Sequence, residues 1–315
     1  MPEPMRHAIL GAGGVGGLIG ASLAHSGASV TMIVRPESLA AYPDHLELQS
    51  PFGNFSVPVA RAAEVPPADV LWLTVKATEL VPALAALTKP ESVKAIVPLL
   101  NGVDHLALLR AKYGDEKVIA ATIAVESERV APGRIIHRSP FANLSVSTKG
   151  QSLLGATLDQ LQKMGFACKF VDHEPTLMWG KVVFLAPFAL TTTAADMTVG
   201  QFLSDPQWRD LGLASMREAC AVAVAEGAKL DADAVIAAAT AMKVASNMRS
   251  SMQKDVEQGK PPELDAIAGP ILRGARRHGI EIPATKKLVA VVERRVVEVR
   301  SLQRLTRSVS TNSEA

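Results

Sequence analysis

The sequence is poor in the residues that extracellular, metal-dependent and nucleic-acid-binding proteins use. Its two cysteines, Cys168 and Cys220, are too few for a zinc cluster or a disulfide framework and are typical of a reducing compartment. Aromatic residues make up only 4% and the formal net charge is only +2, so we expect no base-stacking surface and no strong field for nucleic acid. No cluster of His, Cys and Asp in the sequence suits a metal ion.

Long apolar runs are scarce as well. No unbroken run reaches the ~20 residues that a membrane-spanning helix needs, and the first residues lack the apolar stretch and cleavage site of a secretory signal. We therefore expect a cytoplasmic protein without a membrane partner. What is present is a globular balance of 48% hydrophobic and 20% charged residues, and 315 residues are enough for about two domains.

The first half of the chain alternates between short apolar runs and stretches of helical composition. This alternation predicts βαβ units and a doubly wound, Rossmann-type parallel sheet. After the turn at Pro132 and Gly133, residues 134–146 predict a pair of strands. The strands predicted from the apolar runs are residues 7–10, 29–34, 70–75, 95–99 and 118–125.

The second half contains long stretches rich in Ala, Leu, Val and Met, and these have helical periodicity. We assign helices to residues 207–226, 231–255 and 283–305. The fold class that follows is α/β, with an N-terminal Rossmann-type domain in residues 1–171 and an all-helical domain in residues 172–315. The apolar helices are compatible with a monomer or a homodimer.

A glycine-rich loop follows the first predicted strand. In its Gly-x-Gly-x-x-Gly motif, Gly11 permits the tight turn, Gly13 lets the backbone approach a pyrophosphate, and Gly16 lets the helix pack closely on the strand. The free N–H groups and the positive dipole end of that helix favour an anion. The motif therefore predicts a dinucleotide site, with Gly11, Gly13, Gly14, Val15 and Gly16 as binding residues.

The residue after the second strand indicates which dinucleotide is used. Sites that prefer NAD usually have an acidic residue about 20 positions beyond the glycines, where it binds the ribose hydroxyls. Arg35 stands 19 positions after Gly16 (35 − 16 = 19), and an arginine there can form charge-assisted hydrogen bonds to a 2′-phosphate. We therefore predict NADP(H). Two alternatives stay open: Arg35 is an ordinary surface residue, or the nearby Glu37 contacts the ribose instead.

Several further motifs recur in a characteristic order. They are Val75-Lys76-Ala77, Leu99-Leu100-Asn101-Gly102, Trp179-Gly180-Lys181, Ser250-Ser251-Met252-Gln253-Lys254-Asp255, Glu263-Leu264-Asp265, Gly269, Gly279-Ile280 and Pro283. Over roughly residues 5 to 300 this succession resembles the ketopantoate reductase (2-dehydropantoate 2-reductase) family. The resemblance implies a Rossmann domain that binds NADPH and a helical domain that closes over it. It also implies reduction of a small 2-oxo acid, 2-dehydropantoate, to (R)-pantoate on the route to pantothenate and coenzyme A.

The resemblance also implies roles for individual residues. The arginine that binds the phosphate is Arg35, and the lysine and asparagine that follow the third and fourth strands are Lys76 and Asn101, which contact cofactor and substrate. The catalytic lysine is Lys181, the substrate-binding serine is Ser251, and the active-site glutamate, which also contacts substrate, is Glu263. These residue types suit hydride transfer to a ketone, because a lysine ammonium can stabilise the oxyanion and donate the proton, best when burial lowers its pKa.

The sequence departs from the family where the substrate binds. Many members carry asparagines four and eight residues after the catalytic lysine, and those positions are Leu185 and Ala189 here. An alternative is therefore an NADPH-dependent reductase of another, more apolar 2-oxo acid, unless Thr191, Thr192 or Thr193 restores the lost hydrogen bonds. A second alternative, from a different class, is an NADP-binding regulator without turnover.

Overall fold

The computed structural model describes residues 4–241 and 247–312, with side chains through residue 303. The chain divides into two compact units, which we call the sheet unit (Met1–Met178) and the helical unit (Trp179–Ala315). The sheet unit therefore extends beyond the predicted end at residue 171. The reason is that Leu177 and Met178 pack into its core although they lie in the first turns of the next helix.

The sheet unit contains strands and helices in the alternating order that its sequence predicts. Its helices are α1 (Gly14–His25), α2 (Leu80–Ala83), α3 (His105–Tyr113) and α4 (Gln151–Lys163). Its strands are β1 (Arg6–Leu10), β2 (Ser29–Ile33), β3 (His45–Gln49), β4 (Phe55–Pro58), β5 (Ala60–Ala62), β6 (Ala68–Leu73), β7 (Val93–Pro98), β8 (Ala121–Ala124), β9 (Ser127–Ala131), β10 (Arg134–His137), β11 (Asn143–Ser147) and β12 (Ala167–Val171).

The central sheet is parallel, in the order β5-β2-β1-β6-β7. All six residues of β6 are buried, because both faces of the sheet are covered. Consecutive side chains of β6 alternate between two core clusters, with Val70 and Trp72 in one and Leu71 and Leu73 in the other. The Rossmann-type prediction is confirmed, and the first four predicted strands correspond to β1, β2, β6 and β7.

Two strand predictions are wrong. Of the fifth predicted strand only β8 forms, in a separate sheet of order β12-β11-β8, while Val118 makes an isolated parallel bridge to Ile96 of β7 in the central sheet. Residues 134–146 do not form a pair, since β10 pairs with β3 and β9, whereas β11 pairs with β8 and β12. Pro140 separates the two strands, and a proline cannot donate a ladder hydrogen bond.

His7 lies on β1 in the core, with 1% of its surface exposed, and the Trp72 indole N–H donates to its Nδ1 at 3.2 Å. Burial lowers the pKa of His7 to about 4, and the opposing charge of Asp69 is the smaller effect. Between about pH 6.5 and pH 4, His7 is therefore protonated in the unfolded chain but neutral in the folded chain. Stability is fully present above about pH 6.5 and is lost as the pH falls toward 4, by about 2 kcal/mol at pH 5.

This effect is measurable by denaturant unfolding at pH 7.5 and pH 5. The His7→Gln variant keeps an acceptor for Trp72 but does not titrate, so we expect its stability to change less between the two pH values, by about 2 kcal/mol. Burial also lowers the pKa of His137, which is why the difference between variant and parent, rather than the parent slope alone, is the diagnostic quantity. If the stability of the parent and of the variant changed equally between the two pH values, the lowered pKa would not belong to His7.

The helical unit is built from the helices that follow. Helix α5 begins in the sheet unit, and the others lie wholly after the boundary. The helices are α5 (Glu174–Ala195), α6 (Val199–Ser204), α7 (Pro206–Ala225), α8 (Ala232–Ala241), α9 (Ser251–Glu257), α10 (Leu264–His278) and α11 (Pro283–Asn312). The predictions for 207–226 and 283–305 are confirmed.

The single helix predicted over residues 231–255 is wrong. Helix α8 ends at Ala241 and α9 begins at Ser251, while residues 242–246 lie outside the described part of the chain. The Ser250 side chain accepts a hydrogen bond from the backbone N–H of Gln253 at 3.1 Å, which makes Ser250 the N-cap of α9. A capping serine of this kind starts a new helix, and helical periodicity alone does not reveal it.

Helix α5 is long and apolar enough to cross a bilayer by length and composition, although its sequence contains no unbroken apolar run of that length. Of its most apolar 18-residue window, 72% is buried inside the protein. Such burial is typical of a core helix in a globular protein.

Candidate active site

The glycine loop has the geometry that its motif predicts. Gly11 has φ +116°, and a Cβ atom there would lie 2.6 Å from the backbone nitrogen of Val75. A Cβ atom at Gly16 would lie 2.1 Å from the carbonyl oxygen of Gly11 and 2.4 Å from Thr74 Oγ1. The first glycine therefore makes the turn and the third brings α1 against the strand ends, as in dinucleotide-binding loops.

Gly13 and Gly14 are adjacent but have different surroundings. Among the described residues, apart from its two neighbours in the chain, no atom lies within 4 Å of a Cβ built at Gly13, the N-cap of α1, so this part of the loop faces open space. At Gly14 the same atom would lie 2.1 Å from the carbonyl oxygen of Ser127 on β9, whose hydroxyl donates to the Gly14 carbonyl at 2.9 Å. The space above Gly13 fits the approach of a pyrophosphate, whereas packing explains the glycine at 14. Val15 is partly buried and packs on the core.

Three predicted binding residues follow the carboxyl ends of central strands. Arg35 comes two residues after β2, Lys76 three after β6 and Asn101 three after β7. Arg35 and Lys76 are exposed and Asn101 is half-buried. Ligands of open α/β sheets bind at this edge.

One neighbour of Arg35 was not predicted from the sequence. Its guanidinium nitrogen Nη2 lies 3.3 Å from Glu79 Oε2, and both side chains are largely exposed. The two residues are 44 positions apart, so no local pattern in the sequence signals their contact.

In the helical unit, Lys181 of α5 and Glu263, the N-cap of α10, interact electrostatically. Lys181 is half-buried and Glu263 is 8% exposed. Burial lowers the pKa of Lys181 to about 8, and the nearby Glu263 carboxylate offsets part of this effect by raising it. A lysine in this state is an effective general acid near neutral pH, because it holds a proton that it can readily give up.

Ser251 is the first residue of α9 and is exposed. Its neighbour Ser250 joins two helices, since its hydroxyl oxygen accepts a hydrogen bond from Thr192 Oγ1 of α5 at 2.8 Å. Thr191, Thr192 and Thr193 are fully buried. Their hydroxyls are therefore shielded from solvent, which does not favour a role in replacing the lost amides.

The accessible side of α5 beyond Lys181 is apolar. Phe184, Leu185 and Phe188 are half-buried and follow Lys181 at helical spacings of three, four and seven residues, which place them on one face. Ala189 is only 1% exposed. Of the two positions where the family resemblance implied asparagine, Leu185 is half-buried and Ala189 is buried, so Leu185 alone retains substantial access to solvent.

A Rossmann-type sheet unit with a dinucleotide loop, and a helical unit with a lysine of lowered pKa, define the chain as a pyridine-nucleotide oxidoreductase. Two family models match it, "Ketopantoate reductase PanE/ApbA" over residues 7–148 and "Ketopantoate reductase PanE/ApbA C terminal" over residues 176–296. The 2-dehydropantoate 2-reductase of Caulobacter vibrioides is 30% identical over 297 residues, covering 90% of this chain and 97% of the relative. The chain belongs to the ketopantoate reductase family.

Solved structures agree with this assignment. A PanE/ApbA family ketopantoate reductase from Ralstonia eutropha JMP134 is 28% identical with a TM-score of 0.80, covering 94% of this chain and 100% of the other. A D-mandelate dehydrogenase in complex with NADH and anilino(oxo)acetate has a TM-score of 0.82 at 21% identity, covering 94% and 99% of the two chains. This second likeness concerns the fold alone.

Proposed function

We propose that the protein catalyses the NADPH-dependent reduction of the C2 ketone of a 2-oxo acid, with 2-dehydropantoate, which is reduced to (R)-pantoate, as the first candidate substrate. The observation that carries this proposal is the half-buried Lys181, whose pKa burial lowers to about 8 beside Glu263. Reduction of a ketone creates negative charge on its oxygen, and an ammonium group both stabilises that charge and supplies the proton. Family membership supports the same reaction.

Each predicted residue has a task in this reaction. The backbone of the loop from Gly11 to Gly16 binds the pyrophosphate, and Arg35 binds the 2′-phosphate of the cofactor, which supplies the hydride. Lys76 and Asn101 contact cofactor and substrate. Lys181 donates its proton to the substrate oxygen, Glu263 holds the ammonium in place, and Ser251 binds the carboxylate of the 2-oxo acid.

A second candidate is the reduction of a 2-oxo acid with an apolar side chain. The observation that favours it is the face of α5 that carries the half-buried apolar residues Phe184 and Leu185 beside Lys181. A substrate hydroxyl left without a partner on such a surface costs about 1–3 kcal/mol. Oxo(phenyl)acetate, a 2-oxo acid with an apolar aromatic side chain, is therefore a substrate to test.

The test compares NADPH oxidation with 2-dehydropantoate, branched 2-oxo acids and oxo(phenyl)acetate. For the first candidate, kcat/KM is highest with 2-dehydropantoate. For the second, an apolar 2-oxo acid is preferred. If NADPH binds but no 2-oxo acid is reduced, the non-catalytic regulator is the correct alternative.

The variant Leu185→Asn returns an amide to the accessible position. We expect it to raise kcat/KM for 2-dehydropantoate about tenfold, because one hydrogen bond to the substrate hydroxyl is regained. The matched control is Leu185→Met, which stays apolar and leaves the substrate ranking unchanged. A rise with Leu185→Met as large as that with Leu185→Asn would mean that shape rather than polarity governs this position.

We also propose a cytoplasmic location and a monomeric or homodimeric state. A ketopantoate reductase of the same fold from Staphylococcus aureus is described as dimeric.

A further inference from the structure

The ion pair between Arg35 and Glu79 connects two loops at the cofactor edge of the sheet. Arg35 follows β2 and Glu79 lies after β6, and these strands flank β1, which leads into the glycine loop. The Arg35 guanidinium lies 3.3 Å from a carboxylate oxygen of Glu79. The side chain predicted to recognise the 2′-phosphate is therefore already engaged by an anion.

This contact has an electrostatic consequence for the cofactor. A 2′-phosphate that binds Arg35 must share the guanidinium with the Glu79 carboxylate or displace that carboxylate. In either case the nearby negative charge of Glu79 repels the phosphate. A ribose 2′-hydroxyl meets no such repulsion, and it can donate a hydrogen bond to the carboxylate. The Glu79 side chain thus weakens the binding of NADPH and strengthens the binding of NADH.

We propose that Glu79 is a residue that determines cofactor specificity, limiting the preference of this protein for NADPH so that NADH is used as well. The inference rests on the proposed function, because it assumes that a pyridine nucleotide binds with its adenosine ribose at Arg35. A solved structure of the same fold holds NADH, so the fold itself does not demand the 2′-phosphate. Glu79 is a specificity residue here and takes no part in hydride transfer.

The test measures the dissociation constants of NADPH and NADH, which differ only by the 2′-phosphate, through the fluorescence of the reduced nicotinamide. The ratio Kd(NADH)/Kd(NADPH) is compared between the parent chain and Glu79→Gln. We expect the ratio to rise about five- to tenfold, since one unit charge at about 4 Å in water changes binding by about fivefold and the phosphate carries more than one charge.

Two variants serve as controls. Glu91→Gln removes the same charge from an exposed residue elsewhere in the sheet unit, in the short turn Pro90–Ser92, and we expect no change in the ratio. Glu37→Gln tests the other carboxylate near Arg35, and we expect a smaller change than with Glu79→Gln. Because the effect is electrostatic, it should also shrink when the measurement is repeated in high salt.

The outcomes separate this inference from the proposed function. If both cofactors bind and the ratio is unchanged in Glu79→Gln, the inference is wrong while the proposed function stands. If Glu37→Gln changes the ratio Kd(NADH)/Kd(NADPH) more than Glu79→Gln does, Glu79 is not the residue that determines cofactor specificity. If neither nucleotide binds to any of these chains, the proposed function is wrong and the inference falls with it. Exposed ion pairs contribute little to stability, so Glu79→Gln should remain folded, which thermal unfolding verifies.

Discussion

Replacing Lys181 by methionine should lower kcat for 2-oxo acid reduction by about 10²- to 10⁴-fold, because the reaction loses its proton donor and the charge that stabilises the oxyanion. Methionine keeps the length and the apolar stem of the side chain, so we expect the helical unit to remain folded. The measurement is steady-state NADPH oxidation, together with circular dichroism of the variant. The matched control is Lys287→Met, which removes an exposed lysine of α11 and should leave kcat unchanged.

The pH dependence of the activity tests the role of Lys181 independently. The ammonium form is the active one, so kcat/KM, which reports the pKa values of the free enzyme, should be steady below the pKa of Lys181 and fall as the pH rises through about 8. Glu263 raises this pKa, so the Glu263→Gln variant should lose activity at a lower pH than the parent. A profile that is flat through this range, or a Lys181→Met variant with full activity, would remove Lys181 from the mechanism. NADPH oxidation that disappears in Lys181→Ala would exclude the non-catalytic regulator.

The two neighbouring glycines of the loop should respond to the same substitution in opposite ways. A methyl group at Gly13 would meet no atom of the described part of the chain beyond its sequence neighbours, so Gly13→Ala should fold normally. It would occupy the space left for the pyrophosphate, and overpacking of about 1–3 kcal/mol would weaken NADPH binding about tenfold or more. At Gly14 the methyl group would lie 2.1 Å from the carbonyl oxygen of Ser127. Gly14→Ala should therefore destabilise the fold by about 1–3 kcal/mol.

Thermal unfolding and NADPH titration on both variants distinguish the two effects. Gly155→Ala is the control, because that glycine lies inside α4 with no atom near its added methyl group, and helix propensity favours alanine there. We expect it to preserve both stability and NADPH affinity. If Gly13→Ala bound NADPH as the parent does, the open space at Gly13 would not be the cofactor site.

The sequence predicted the central sheet well because the physical signal is strong there. Strands of a parallel sheet are buried on both faces, so β1, β2, β6 and β7 appear as nearly continuous apolar runs between glycines and helices. The peripheral strands β3 and β4 mix exposed and buried residues, and β9 has no buried residue, so none of the three has a comparable signal. The assignment of residues 134–146 to one pair failed because pairing depends on partners distant in sequence, such as β3 and β12.

The candidate site was predictable in its motifs but not in its contacts. The glycine loop was predicted from its motif, whereas Lys181 and Glu263 were predicted from the resemblance to the ketopantoate reductase family, and their roles stay predictions. Sequence reasoning missed Glu79 because it lies 44 positions from Arg35, and only the fold brings the two together. The burial of Thr191, Thr192 and Thr193 could not be predicted from the sequence either, because it depends on packing inside the helical unit.

Helix α5 is held at its first residue by α3, and this contact determines where the chain can be cut. Its first residue, Glu174, receives two hydrogen bonds from the Arg110 guanidinium of α3, at 2.6 and 2.8 Å, and Lys181 follows two turns later on the same helix. A separately produced C-terminal fragment that started at Trp179 would begin in mid-helix, with unsatisfied backbone groups beside the lysine. Fragments and chimaeras of this protein should therefore be joined ahead of Glu174, so that Lys181 keeps the helical turns that precede it.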